Sequence, residues 1–236
     1  MQQSQPQSRA IDVEQYGSEI QVVFSQVYLL MTLGLAVTAI VAAWVSVTPS
    51  LLRLIYSNWW VSIGLMVAQI ALVIVLSAAI TRLSTGVSVA LFLAYAALLG
   101  VSLSAILIYY TQASITSTFL VTAGTFGVMS IFGFVTKRDL TKLGSLMIML
   151  LIGLILASVV NIFLRSSALY WILTYVGVGI FVGLIAYDTQ RIKRMTAASL
   201  SNEKGRGAIV VMGALKLYLD FINLFLLLLR IFGRQR

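Results

Sequence analysis

Two aspartates stand in strongly apolar sequence: Asp188 in GIFVGLIAYDTQRIKR and Asp220 in ALKLYLDFINLFLLLLR. The chain has seven acidic residues, and the other five, Asp12, Glu14, Glu19, Asp139 and Glu203, lie in polar segments that water can solvate. An Asp at the centre of a membrane helix costs about 2.5–3.5 kcal/mol on insertion scales, so one kept there is a functional candidate. A polar, glycine-bearing turn, SLSNEKGRG, falls near the midpoint between the two. Helices running back to back from that turn would carry the carboxyls to similar depth and let them face each other. Two close carboxylates in a low dielectric do not both keep a negative charge unaided, so the pair shares a proton or takes a cation. Carboxylate oxygens suit a hard cation such as Ca²⁺, which makes Asp188 and Asp220 the candidate metal contacts as well. The plainer alternative is a structural carboxyl, protonated and hydrogen-bonded to a neighbouring helix.

The neighbours of the pair offer counter-charges. Lys216 precedes Asp220 by four residues and Arg191 follows Asp188 by three, so each base shares a helical face with its carboxylate. Both bases lie nearer the turn, where long basic side chains also reach for the headgroups. Gln69, Asn161 and Asn223 are uncharged polar residues in apolar runs, and Asn223 shares the face of Asp220. Interhelical hydrogen bonds are the ordinary use of such residues; their carbonyl oxygens would also serve a cation pathway. Tyr187 and Tyr218 read as packing or interfacial residues. Gly179 with Gly183, and Gly124 with Gly127, mark faces where helices would approach closely.

These residues need apolar elements to hold them, and composition supplies the type. The chain has 236 residues, is 60% hydrophobic and 10% charged, with a mean hydropathy of +1.02. Runs of about 20 apolar residues are long enough to cross a hydrocarbon core. The expected fold is all-α: a polytopic membrane protein with a polar, flexible tail at 1–22 and a single seven-helix transmembrane domain at 23–236. The spans are expected near 23–47, 60–80, 87–109, 115–135, 143–164, 169–190 and 208–231. The tail lacks the basic, apolar and small-residue sequence of a cleaved signal peptide. Neither Pro6 nor Pro49 falls within an apolar run.

Absences narrow the chemistry. No cysteine excludes disulfides, thiol nucleophiles and thiolate metal sites, and no histidine excludes His triads, HExxH zinc sites and imidazole switches. Any response near neutral pH must then come from carboxylates or, less readily, from a lysine. The formal net charge of +9 fits basic residues flanking membrane helices, and no basic run interleaved with aromatics suggests nucleic acid. Seven spans would put Arg9, Arg82, Lys137, Arg138, Lys142, Arg191, Lys193, Arg194, Lys204 and Arg206 on one membrane face. Arg53, Arg165, Arg230, Arg234 and Arg236 would lie on the other. That asymmetry predicts a cytoplasmic N-terminus. The terminal RIFGRQR runs against it, and a re-entrant last segment would bring it back inside.

The motifs AYDTQ (Ala186–Gln190), LYLDFINLF (Leu217–Phe225), TKRDL (Thr136–Leu140) and VNIFL (Val160–Leu164) resemble the Bax inhibitor family, the Bax-inhibitor-motif transmembrane proteins. The resemblance spans the whole membrane region, and the bacterial inner-membrane branch is the nearest match. It implies seven helices with the last one central and six packed around it. It further implies a pH-sensitive calcium leak, with Asp188 and Asp220 as the di-aspartyl pH sensor and ion gate. In that family an arginine at the end of helix two closes the pair, and Arg82 is the base near that position. Gln69 lies near a mid-helix-two position that is acidic in some members. No cofactor is expected to be permanently bound; Ca²⁺ and H⁺ are the ions handled, and the lipid bilayer and a membrane protease are candidate partners.

Other classes make different demands. An intramembrane aspartyl protease also sets two aspartates on adjacent helices, but it carries a GxGD motif and a downstream PAL, and Asp220 follows LYL. No enzyme activity is expected. A non-conducting regulator of a membrane protease or stress response would form a complex that survives loss of both carboxylates. A proton-coupled exchanger would follow a pH gradient rather than absolute pH.

Overall fold

The computed structural model describes residues 6–80, 82–199 and 203–236, with side chains placed from 17 to 80, 82 to 199 and 205 to 236. Eight helices follow one another: α1 (Pro6–Ser46), α2 (Pro49–Tyr56), α3 (Trp59–Ala79), α4 (Thr85–Tyr109), α5 (Gln112–Val135), α6 (Thr141–Leu164), α7 (Ser167–Ala198) and α8 (Glu203–Phe232). All but α2 hold a stretch long and apolar enough to cross a membrane, seven spans among the described residues. The chain is an all-α polytopic membrane protein. The turns α3–α4, α5–α6 and α7–α8 lie on what we call the first face, and the turns α4–α5 and α6–α7 on the second.

The last helix is the core. In its most apolar 18-residue window 67% of α8 is buried, against 6% for α3 and for α6. That difference makes α3 and α6 an outer layer, α3 against α4 and α6 against α7, while α1, α4, α5 and α7 pack directly on α8. Hydropathy runs opposite to burial: α3 and α6 are among the most apolar spans, as lipid-facing helices can be, whereas α8 carries Lys216, Asp220 and Asn223, polar groups that need protein or water around them. Tyr218 of α8 is fully enclosed. Its hydroxyl lies 2.6 Å from Thr38 Oγ1 on α1, and Phe92 and Tyr95 of α4 meet its ring edge-on. Lipid tails are as apolar as leucine, so such shape-specific packing and interhelical hydrogen bonding hold the bundle. Trp59, Trp60, Tyr170, Trp171 and Tyr175 face outward where α3 and α7 begin, an aromatic belt at the second face.

Several boundaries differ from expectation. The tail expected to be flexible is helical from Pro6 onward, and the first span begins at Gly17. Ile20, Val23, Phe24 and Val27 form a buried stripe at helical spacing, and Glu19 reaches to 3.6 Å from Arg206 of α8. Residues 1–5, and the side chains of Arg9, Asp12, Glu14, Glu203 and Lys204, lie outside the described residues. The loop around Pro49 is helix α2, with proline in its first turn where no N–H is needed. Its Tyr56 hydroxyl bonds Ser102 O (3.2 Å) and Ser104 Oγ (3.1 Å) of α4. Helix α7 continues two turns past residue 190.

The last helix is unbroken to Phe232, so the re-entrant alternative falls away. Residues after it return to the α4–α5 turn at the second face: Thr111 N–H donates to Arg234 O and Arg236 N–H to Tyr109 O, each at 3.0 Å. The expected close-approach glycines are corrected too. Gly124, Gly127 and Gly179 face open space, whereas Gly183 lies against Met147 of α6. The tightest glycine on α5 is Gly133, where any Cβ would collide with the backbone carbonyl of Ala186. That contact seats α5 on α7 two residues before Asp188.

Candidate functional site: the cleft at Asp188 and Asp220

The face of α8 turned toward α6 carries a polar row. Lys216, Asp220, Asn223, Leu227 and Arg230 follow at steps of four, three, four and three, which is one stripe of an α-helix. Together with Asp188 of α7 and the inner wall of α6 they line a cleft of about 460 Å³. From Lys216 to Arg230 the stripe is 14 residues long, roughly 21 Å at 1.5 Å per residue. The walls are apolar, among them Leu151, Leu154, Phe181 and Leu226, and Ser158 of α6 is a further polar contribution.

At the first-face end the two carboxyls meet one cation. Lys216 donates from Nζ to Asp188 Oδ1 at 3.1 Å, and both groups are largely shielded, the lysine side chain 27% and the aspartate 7% exposed. Asp220 Oδ2 is enclosed and has no hydrogen-bond partner among the described residues. A buried polar oxygen without a partner is uncommon and asks for an explanation. One ammonium against two carboxyls leaves the site neutral only with one proton bound; otherwise it has room for a further cation. Two carboxylates supply fewer than the six to eight oxygens that Ca²⁺ takes, so most of a bound ion's shell would be water. Among the described residues no group of three or more acidic, His or Cys side chains comes together.

The remaining candidates are scattered. Asn223 lies in the cleft, its Nδ2 donating to Leu219 O at 2.8 Å. Gln69 bonds across to α4, at 2.6 Å from Ser102 Oγ. Asn161 closes the α6–α7 turn, accepting from Ser166 N–H at 3.0 Å. The structure therefore does not gather Gln69, Asn161 and Asn223 into one pathway. Arg191 is exposed and makes no ion pair with Asp188; Arg82 is exposed in the α3–α4 turn and makes none with either aspartate.

A second polar cluster lies at the first-face end of α7. Beyond Asp188, α7 turns Gln190, Lys193 and Arg194 onto the α5–α6 turn. Gln190 both accepts from Leu140 N–H (2.9 Å) and donates to Arg138 O (2.8 Å). Lys193 donates to Phe134 O at 2.8 Å and lies over the Phe134 ring. Arg194 donates to Asp139 Oδ1 (2.8 Å) and Thr141 Oγ1 (2.9 Å). The Thr141 hydroxyl and backbone N–H, followed by the Arg194 guanidinium, hold the Asp139 carboxyl down at about 2. This clasp ties the first-face end of α7, just beyond Asp188, to the α5–α6 turn. Its signal was present: the polar spacing 190, 193, 194 is one helical face, extending beyond the apolar run.

The comparisons with known proteins agree with this architecture. The family model described as "Inhibitor of apoptosis-promoting Bax1" matches residues 20–236. The chain is 51% identical to a protein of Escherichia coli named inner membrane protein YbhL, over 97% of this chain and 98% of that one. An uncharacterized protein of Borreliella burgdorferi is 44% identical over 96% of this chain and 99% of its own length. An uncharacterized membrane protein of Streptococcus pyogenes is 40% identical over 90% and 92%. With the match running through α1 to α8 and the aspartates set in its two most buried motifs, the chain belongs to the Bax inhibitor family.

Proposed function

We propose that this protein is a pH-sensitive Ca²⁺ leak of a bacterial inner membrane, gated by protonation of the Asp188–Asp220 pair, with its N-terminus cytoplasmic. The observation that carries the reading is the arrangement at the floor of the cleft. Asp188 is satisfied by the Lys216 ammonium at 3.1 Å, while Asp220, one turn beyond Lys216 on α8, has an enclosed oxygen with no hydrogen-bond partner among the described residues. Lys216 holds the position a permeating cation would need at Asp188. A proton and a divalent cation are then rival ways of balancing the second carboxyl. Protonation changes which helix contacts are favoured across the α7–α8 seam and so biases an open–closed equilibrium. With histidine and cysteine missing from the chain, the two intramembrane carboxyls are the natural proton sensors.

The test is Ca²⁺ flux into liposomes holding the purified protein, from pH 5 to 8, for wild type, Asp188→Asn and Asp220→Asn. Flux whose pH dependence flattens in both variants supports a di-aspartyl gate. No flux above empty liposomes from normally folded protein overturns it and moves the reading to a non-conducting regulator of a membrane protease or stress response.

A further inference from the structure

The cleft has two ends of opposite character. Its floor holds the carboxyl pair; its other end, at the second face, holds Arg230. The guanidinium is exposed and sits 5.5 Å above the Tyr170 ring of α7, which fixes it beside the opening. At the first-face end stands Lys216, paired with Asp188 at 3.1 Å. A group entering from the second face passes Arg230 before it reaches Asp220.

We infer that the cleft is an aqueous vestibule opening at the second face, and that Arg230 is its charge filter, lowering the occupancy of cations and of divalent cations most. The filter deepens the leak reading; the vestibule itself stands apart from it. A fixed positive charge lowers the local concentration of a cation by a Boltzmann factor whose exponent scales with the cation's charge. Across roughly 10 Å, and between watery and half-screened surroundings, one unit charge changes the occupancy of a monovalent ion about two- to tenfold. The factor for a divalent ion is the square of that. Arg230 thus makes the vestibule discriminate against Ca²⁺ relative to K⁺ and keeps the leak slow. The other cation on the stripe, Lys216, is compensated by Asp188, so Arg230 is the uncompensated cation among the cleft-lining residues.

The chain has no cysteine, so single cysteines report without background. Asn223→Cys sits two turns below Arg230, and Ser158→Cys on the opposite wall is the second reporter should the first fail to fold. Each is reacted in liposomes with an anionic and a cationic methanethiosulfonate reagent, with Arg230 present and in Arg230→Gln. The expected result is reaction with both reagents and a ratio of anionic to cationic rates that falls at least fourfold in Arg230→Gln. In parallel, Arg230→Gln raises Ca²⁺ flux by about the square of its effect on K⁺ flux, and Arg230→Lys restores both. No reaction at either reporter overturns the vestibule. An unchanged reagent ratio overturns the filter and leaves Arg230 an interfacial anchor. The expected reagent ratios without any Ca²⁺ flux would uphold the vestibule and overturn the leak instead.

Discussion

Lys216 Nζ lies 3.1 Å from Asp188 Oδ1, on the same face of α8 as Asp220, whose Oδ2 has no partner among the described residues. The lysine is a tethered cation already seated at the pair. Its removal leaves two carboxyls without their resident charge, and an outside cation becomes the replacement. Ca²⁺ should therefore bind Lys216→Met more tightly than wild type. Ligand that binds only the folded form raises stability by RT ln(1 + [L]/Kd), about 2.7 kcal/mol at a hundredfold excess over Kd. A Ca²⁺-dependent rise in unfolding temperature is expected in Lys216→Met, absent or smaller in wild type and in Lys216→Arg. Equal shifts in all three would mean that the ammonium does not compete for the site.

The Asp139–Arg194 contact of the clasp persists from pH 5 to 8, the range over which flux is to be measured. Asp139 is held at about 2, below its ordinary value near 4. A depressed carboxyl contributes stability that is fully present above its unfolded value and is lost as pH falls through the folded one. The window is therefore about pH 4 down to 2, below the range in which flux is read. Asp139→Asn should leave the midpoint of the flux–pH curve between pH 5 and 8 where it is. Thermal unfolding should show the wild type losing its advantage over Asp139→Asn only below about pH 4. A midpoint that moves with Asp139→Asn would transfer the sensor from the pair to the clasp.

Span number was legible from the apolar runs, and the central place of α8 came with the family resemblance rather than with any pattern in the helix itself. The two aspartates stood out as polar residues in apolar sequence, and the structure buries both. Lys216 could be read only as far as a choice between pairing with Asp220 and snorkelling; the structure pairs it across the helix seam with Asp188 instead, a partner that spacing within one helix does not reveal. The scatter of Gln69 and Asn161 was not legible: a polar residue in an apolar run needs a partner, and the partner is set by which helices adjoin. The same holds for the glycines. Gly124 and Gly127 have the spacing of a contact face, but α5 turns Gly133 and its buried hydroxyls inward instead. The clasp joins Gln190, Lys193 and Arg194 to residues 50 to 59 positions away, and no local pattern encodes that pairing. The short helix α2 was hidden because Pro49 reads equally as the middle of a loop or the first turn of a helix.

Gly133 and Gly124 separate packing from mere glycine content. A Cβ on Gly133 meets the carbonyl of Ala186 on α7, a backbone group that cannot move aside cheaply, whereas Gly124 has open space. Gly133→Val should force α5 away from α7 and cost at least the 1–3 kcal/mol of an overpacked core. Gly124→Ala should be neutral or slightly stabilising, since alanine is the better helix former. Thermal stability by size-exclusion in detergent distinguishes the two; similar losses would place both on contact faces.

The two aspartates should not be equivalent in stability, although either substitution removes one negative charge. Asp220→Asn keeps the Lys216–Asp188 pair at its present distance and replaces a carboxyl whose Oδ2 has no partner among the described residues with an amide that can both donate and accept. Asp188→Asn strips the ammonium of its partner, and Lys216 must swing toward Asp220 or out to the headgroups. Breaking one side of a buried pair typically costs 3–5 kcal/mol. Lys216 retains 27% exposure, so solvent recovers part of that cost, and about 1–3 kcal/mol is expected here. Asp188→Asn should therefore unfold at lower temperature than Asp220→Asn at pH 7, and Asp188→Asn/Lys216→Met should recover most of the difference. Equal unfolding temperatures for the two single variants would show that Lys216 serves both carboxyls alike.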